Sequence, residues 1–173
     1  MSTTNFNRQD LIDKIETSYR NFKNALSQFS EKELNSIPFE GSWTAGQVTE
    51  HLSKSNAGIL NQLLNGKAET TNRDADKQVE LIQGIFRGSE KMKTAPVLEP
   101  KNPPHSLQEL LKILEEQKEQ QLETVKNKDL KSLIPELEFP PSPEGLTRLE
   151  WMHLMIEHTN RHKKQIETIH QKQ

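Results

Sequence analysis

Residues 147–169 read TRLEWMHLMIEHTNRHKKQIETI, and the spacing of the bulky side chains in this stretch predicts a helix. One set recurs at alternating steps of four and three residues: Trp151, Met155, His158, His162, Gln165 and Ile169. This rhythm is typical of the inward face of a bundle helix. Thr147 is a suitable N-cap, and Glu150 three residues later completes a capping box. The stretch therefore predicts a helix that begins after Thr147 and turns two histidines towards the core.

Three further segments carry apolar residues at helical spacing, and we predict helices over residues 8–29, 44–64 and 106–125. The chain is rich in Leu, Glu, Gln and Lys, which favour helices. About 40 residues separate the second long helix from the third, with a short helix predicted near 77–92, and a connection of that length can run along a bundle. We therefore expect an all-α, up-down-down-up four-helix bundle, with up-down-up-down as the alternative.

Length and composition narrow the class of protein. A chain of 173 residues fits one domain, so we predict a single domain over residues 1–173. Lys and Arg number 23 and Asp and Glu number 25, a net charge of -2, which argues against a nucleic-acid or anionic-membrane partner. Without cysteine the chain has neither disulfides nor a thiol nucleophile. Residues 1–8 contain no apolar run, so we expect no secretory signal and a cytoplasmic location.

Two histidines on the fourth predicted helix are candidate metal ligands. His158 and His162 are four residues apart, which places both imidazoles on the same side of a helix, one turn apart. Neutral imidazoles at this spacing are well suited to zinc and similar divalent ions. Both positions belong to the inward-facing set, where an unpaired polar side chain would be costly. A metal ion would provide the partner that a core-facing pair needs.

His51 is the candidate third ligand because of its height in the bundle. It lies seven residues after Thr44, and His162 lies seven residues before Ile169. If the second and fourth long helices are antiparallel, both histidines lie about 10 Å from the same end of the bundle. Three histidines with open coordination positions are typical of catalytic metal sites. The alternative is that these histidines only pack in the core or lie on the surface.

The remaining histidines are not predicted to be ligands. His153 is five residues before His158 and therefore lies on another side of the helix. His105 follows two prolines and His170 lies near the end of the last helix, so both are expected at the surface. Glu50 and Glu157 each adjoin a candidate ligand and must point elsewhere, so we interpret them as solvated or helix-surface charges. The alternative is a hydrogen-bonding role around the metal ligands.

Four stretches resemble the DinB/YfiT-like metalloenzymes. They are GSWTAGQVTEHL at 41–52, FPPSPEGLT at 139–147, TRLEW at 147–151 and IEHTNRHKKQI at 156–166. Their order and spacing agree with that family over nearly the whole chain. The resemblance implies an up-down-down-up four-helix bundle with a divalent metal held by three histidines, which by position are His51, His158 and His162.

The resemblance also implies a function. Family members of known activity are thiol-dependent transferases that use low-molecular-weight thiols such as bacillithiol or mycothiol, and others are described as metal-dependent hydrolases. We therefore expect a metal-dependent enzyme with a small-molecule substrate, with zinc as the ion and nickel, manganese or iron as alternatives. A homodimer is left open. The alternative function is a non-catalytic bundle that binds a small ligand or serves a stress response.

Overall fold

The computed structural model describes residues 6–173. Within this range the chain forms six α-helices and one short 3-10 helix: α1 (Arg8–Leu26), α2 (Glu31–Leu34), α3 (Ala45–Asn65), α4 (Val79–Arg87), the 3-10 helix (Pro96–Leu98), α5 (Leu107–Asn127) and α6 (Arg148–Gln171). The all-α prediction is confirmed. Residues 1–5, which belong to the predicted domain and to the segment expected to lack a secretory signal, lie outside the described residues.

The long helices α1, α3, α5 and α6 correspond to the four predicted ones, and two predicted elements differ from the structure by more than two residues. The first predicted helix ends at Leu26 instead of residue 29, because Ser30 caps a separate short helix, α2, with Glu33 as its capping-box partner. The short helix predicted near 77–92 covers only nine residues, since the backbone turns extended at Gly88.

Capping boxes fix where the two histidine-bearing helices begin. At α3, Thr44 Oγ1 accepts from the Gln47 backbone N–H at 3.1 Å, and Gln47 Oε1 accepts from the Thr44 N–H at 3.0 Å. The same reciprocal pair joins Thr147 and Glu150 at α6, at 3.2 and 2.8 Å. Both predicted starts are confirmed, and they set the height of each histidine in the bundle.

Contacts between helix ends give the directions of the helices. The Arg8 guanidinium at the start of α1 donates to the Val125 carbonyl near the end of α5. Arg148 Nε at the start of α6 donates to the Leu63 carbonyl near the end of α3, at 2.9 Å. The partners within each of these two pairs therefore run antiparallel, and α1 and α3 each pack against both α5 and α6.

The long connection between α3 and α5 brings the chain back along the bundle. His105, just before α5, lies against Gly46 in the first turn of α3, so these two helices begin at the same end. α3 and α5 therefore share one direction and α1 and α6 the other, the directions expected of an up-down-down-up order. None of the helices within residues 6–173 combines the length and apolar character needed to cross a membrane.

The last helix is buried more completely than a bundle helix with a single inward face. It packs against α1, α3 and also α4, so side chains on three of its sides are covered. Trp151, Met155 and Ile169 are buried as predicted, but Gln165 is exposed and the neighbouring Ile166 is buried in its place. The additional cover by α4 explains why a single alternating pattern does not describe this helix.

Candidate metal centre

Three histidine side chains meet between α3 and α6. His51 comes from the second turn of α3, and His158 and His162 come from successive turns of α6. One ring nitrogen of each lies within 4.8 Å of those of the other two. The Nε2 atoms of His158 and His162 are 2.8 Å apart, and the His51 ring centroid is 5.5 and 4.9 Å from theirs. The structure thus brings together all three predicted ligand residues.

Hydrogen bonds donated by Nδ1 fix the position of the ring hydrogen on two of the three histidines. His51 Nδ1 donates to the Leu98 backbone carbonyl at 3.0 Å, and His162 Nδ1 donates to Gln165 Oε1 at 2.8 Å. When Nδ1 of a neutral imidazole carries the hydrogen, Nε2 presents a lone pair. A hydrogen-bond acceptor at the far nitrogen is typical of histidines that bind metals.

Burial keeps the three imidazoles neutral. His51, His158 and His162 are 6%, 7% and 9% exposed. Loss of water from the charged form lowers the pKa of His162 from 6.5 to about 4, with the neighbouring His51 and Arg161 adding to the effect. Burial also lowers the pKa of His158 well below 6.5 and that of His51 to a smaller extent. At neutral pH the rings therefore offer lone pairs and no charge.

The donor set fits a divalent transition metal. The His162 Nε2 lone pair lies 2.8 Å from His158 Nε2, and the His158 Nδ1 atom is buried with no hydrogen-bond partner among residues 6–173. Without a metal, His158 Nε2–H can donate to this lone pair, and a bound cation would replace that hydrogen and be coordinated by both Nε2 atoms. Imidazole nitrogens are preferred ligands of zinc, nickel, copper and iron, and among residues 6–173 these three histidines are the group that could hold such an ion.

One family model matches most of the chain. Residues 14–166 match the family model described as the DinB superfamily. The chain belongs to the DinB superfamily. No curated protein and no solved structure matches it. The prediction of a DinB-like family is confirmed, and the match covers all three histidines.

In this DinB-superfamily chain the three histidines line a cleft of about 1130 Å³. Much of the cleft wall is aromatic or aliphatic, and its residues come from α3, α4, α6, the 3-10 helix and the connecting segments: Trp43, Ile59, Phe86, Met92, Leu98, Leu137, Phe139, Trp151 and Leu154. Trp43 lies 5.3 Å from the His51 ring centroid and Phe86 lies 5.6 Å from that of His158. The histidines are therefore reached through a largely apolar cleft, as in many small-molecule sites.

Glu157 has a different environment from the solvated one that the sequence suggested. Its carboxylate is 7% exposed and lines the cleft, and both of its oxygens accept from Arg87 at the end of α4, at 2.7 and 3.0 Å. Arg161, one turn further along α6, donates to backbone carbonyls at and beyond the end of α4, including those of Phe86 and Gly88. These arginines attach α4 to one wall of the cleft.

Glu50 and His105 are also not the surface groups that we expected. Their side chains are 14% and 10% exposed, and His105 Nε2 lies 2.6 Å from Glu50 Oε2. The long connection folds onto α3 at this point, which covers both residues. His153 and His170 lie outside the three-histidine group, as expected.

Three features of the site were missing from the sequence interpretation. Gln165 was placed in the core, although its spacing of three residues from His162 was a local signal for a hydrogen bond to that ring. Arg87 and the Leu98 carbonyl are distant in sequence from the groups that they contact, and a backbone carbonyl has no side-chain signature. Only the folded chain brings Arg87 to Glu157 and the Leu98 carbonyl to His51.

Proposed function

We propose that this chain is a metal-dependent enzyme that acts on a small molecule, with His51, His158 and His162 as the ligands of a divalent metal. The observation that carries the proposal is the convergence of three neutral, buried imidazoles at the wall of a large apolar cleft. Three neutral ligands would leave the full positive charge of the ion uncompensated, which favours anionic nucleophiles. We propose zinc as the ion, with nickel, manganese or iron as alternatives.

A divalent metal held in this way would lower the pKa of a thiol or a water molecule and so supply a nucleophile at neutral pH. Other groups of the chain orient the ligands and limit the access of water. The Leu98 carbonyl and Gln165 orient the rings of His51 and His162 through their Nδ1 atoms. Apolar side chains such as Trp43, Phe86 and Trp151 reduce the access of water to the cleft.

The charges around the cleft favour an anionic substrate. Within residues 6–173 two carboxylates line it, those of Glu138 and Glu157. Six basic side chains do so: Lys54, Arg87, Lys91, Lys93, Arg161 and Lys164. Glu157 is already neutralised by Arg87, so the remaining potential is positive. An anionic low-molecular-weight thiol as co-substrate of an S-transfer, or an anionic substrate of a hydrolase, suits this lining.

Metal analysis tests the proposed site. The protein is purified without a histidine tag, and bound metal is measured by elemental analysis before and after treatment with a chelator. We expect close to one transition-metal ion per chain, and loss of it in each of His51→Ala, His158→Ala and His162→Ala. His153→Ala is the matched control, because it removes a histidine from α6 outside the group. Protein that is purified without bound metal, and whose stability does not change on treatment with the chelator, would favour the non-catalytic ligand-binding bundle.

A second assay tests the chemistry. Protein loaded with zinc is given a low-molecular-weight thiol with an electrophile, and separately a panel of anionic esters and amides. We expect thiol consumption or hydrolysis that the His158→Ala variant and the chelator-treated protein lack. Equal rates with loaded wild-type protein and with the His158→Ala variant would contradict an enzymatic role for the site.

A further inference from the structure

Residues 98–105 run from the last residue of the 3-10 helix towards α5 along the first half of α3, and we call this segment the strap. Two side chains of α3, one turn apart, hold its backbone. Glu50 Oε2 accepts from the Lys101 N–H at 2.9 Å, and Lys54 Nζ donates to the Glu99 carbonyl at 2.7 Å. Gln47, one turn earlier on the same face, donates to the Lys101 carbonyl at 3.3 Å. Three side chains on one face of α3 therefore bind the backbone of the strap.

The C-terminal end of the strap is fixed as firmly. His105 Nε2 lies 2.6 Å from the same Glu50 oxygen, and its backbone N–H and carbonyl both bond to the Asn35 side chain, at 2.6 and 3.0 Å. His105 also packs directly against the backbone of Gly46. A Cβ at Gly46 would lie 2.9 Å from His105 Cβ, which is closer than such atoms approach in proteins. Glycine is therefore required at this point of α3 if the strap is to lie where it does.

The N-terminal end of the strap contacts the candidate metal centre. The Leu98 carbonyl accepts the Nδ1 hydrogen of His51 at 3.0 Å. A backbone carbonyl can only accept, so this contact selects the tautomer in which Nε2 carries the lone pair. It also limits rotation of the ring, which contacts one aromatic side chain outside the histidine group, Trp43, in the part of the chain that the structure describes.

We propose that the strap is the device that sets the tautomer and orientation of His51, and that Glu50 is its positioning residue. Glu50 does not contact the His51 ring; it holds Lys101 and His105, and through them the Leu98 carbonyl. Two consecutive residues of α3 therefore have different roles: Glu50 binds the strap, and His51 is oriented by it. The proposal deepens the proposed function. Its expected effect on metal affinity rests on that function, whereas its effect on the His51 tautomer does not.

The direct test is the tautomer of His51 in metal-free protein. Nitrogen NMR of ¹⁵N-histidine-labelled protein in the presence of a chelator distinguishes a protonated Nδ1 from a protonated Nε2. We expect wild-type His51 to carry its hydrogen on Nδ1, and Glu50→Ala to show a mixture of tautomers. Glu50→Gln, which keeps an oxygen acceptor for the Lys101 N–H, should retain the wild-type signal.

Two further variants separate this role from a general loss of structure. Glu115→Ala is the matched control, because Glu115 is a helix glutamate that binds two lysines, Lys23 and Lys118, away from the strap. It should leave the His51 signals unchanged. Gly46→Ala removes no hydrogen bond and favours the helix, yet its Cβ must displace His105. It should shift the tautomer as Glu50→Ala does.

Metal affinity gives the second measurement. Loss of a group that orients a ligand typically weakens metal binding about 10–100-fold, and we expect this for Glu50→Ala and Gly46→Ala by competition with a chelating dye. A single Nδ1–H tautomer retained in folded Glu50→Ala and Gly46→Ala would overturn the proposal. Wild-type protein that binds no metal would instead refute the proposed function, and the tautomer measurement would still decide the role of the strap.

Discussion

Acidification of the metal-free protein should destabilise it through His162. Burial lowers the pKa of this ring from 6.5 to about 4, and the nearby His51 and Arg161 act in the same direction. Between these two pH values His162 is protonated in the unfolded chain and neutral in the folded chain. The stability contributed by a neutral His162 is therefore fully present above pH 6.5 and is lost as the pH falls towards 4. The loss amounts to about 2 kcal/mol near pH 5 and about 3 kcal/mol near pH 4.

The measurement is urea-induced unfolding with a chelator present, for wild-type protein and His162→Gln, at about pH 7, 5 and 4. Glutamine does not titrate, so its curve lacks the contribution of this ring and should fall less steeply with decreasing pH. The difference between the two pH dependences isolates His162 from other titrating groups. Identical losses in both proteins would show that burial does not keep this ring neutral, and the assignment of its Nε2 lone pair to metal binding would lose its basis.

Two bidentate Arg–Glu pairs on α6 should differ in their contribution to stability. Arg73, in the connection before α4, is 12% exposed and donates to both carboxylate oxygens of the fully buried Glu150, so Arg73→Ala leaves a charge that water cannot reach and should cost about 3–5 kcal/mol in the same urea assay. Arg87 is 61% exposed, so its pair with Glu157 is screened by water that can also replace the lost guanidinium, and Arg87→Ala should cost under about 1 kcal/mol. Equal costs would mean that the burial of Glu150 has been misjudged. Trp151 is 4% exposed, and Trp151→Ala should cost about 3–5 kcal/mol; a cost below about 1 kcal/mol would contradict the packing of α6.

The sequence by itself determined those features that depend on neighbouring residues. The starts of α3 and α6 follow from Thr44 and Thr147, because capping boxes join residues only three positions apart. The convergence of His158 and His162 follows from the pitch of one helix. Even the third ligand candidate could be placed at the correct height, since a rise of 1.5 Å per residue converts sequence distance into position along a bundle.

Tertiary structure alone decided what surrounds these histidines. The Leu98 carbonyl is 47 residues from His51 in sequence, and Arg87 is 70 residues from Glu157. The conformation of the long connection depends on its contacts with α3 and α6 rather than on its own periodicity, so its path has no local signal. The apparent surface positions of Glu50 and His105 were wrong for the same reason, because burial depends on which distant segment covers a helix face. Local patterns specify which side chains point the same way; long-range packing specifies what they meet there.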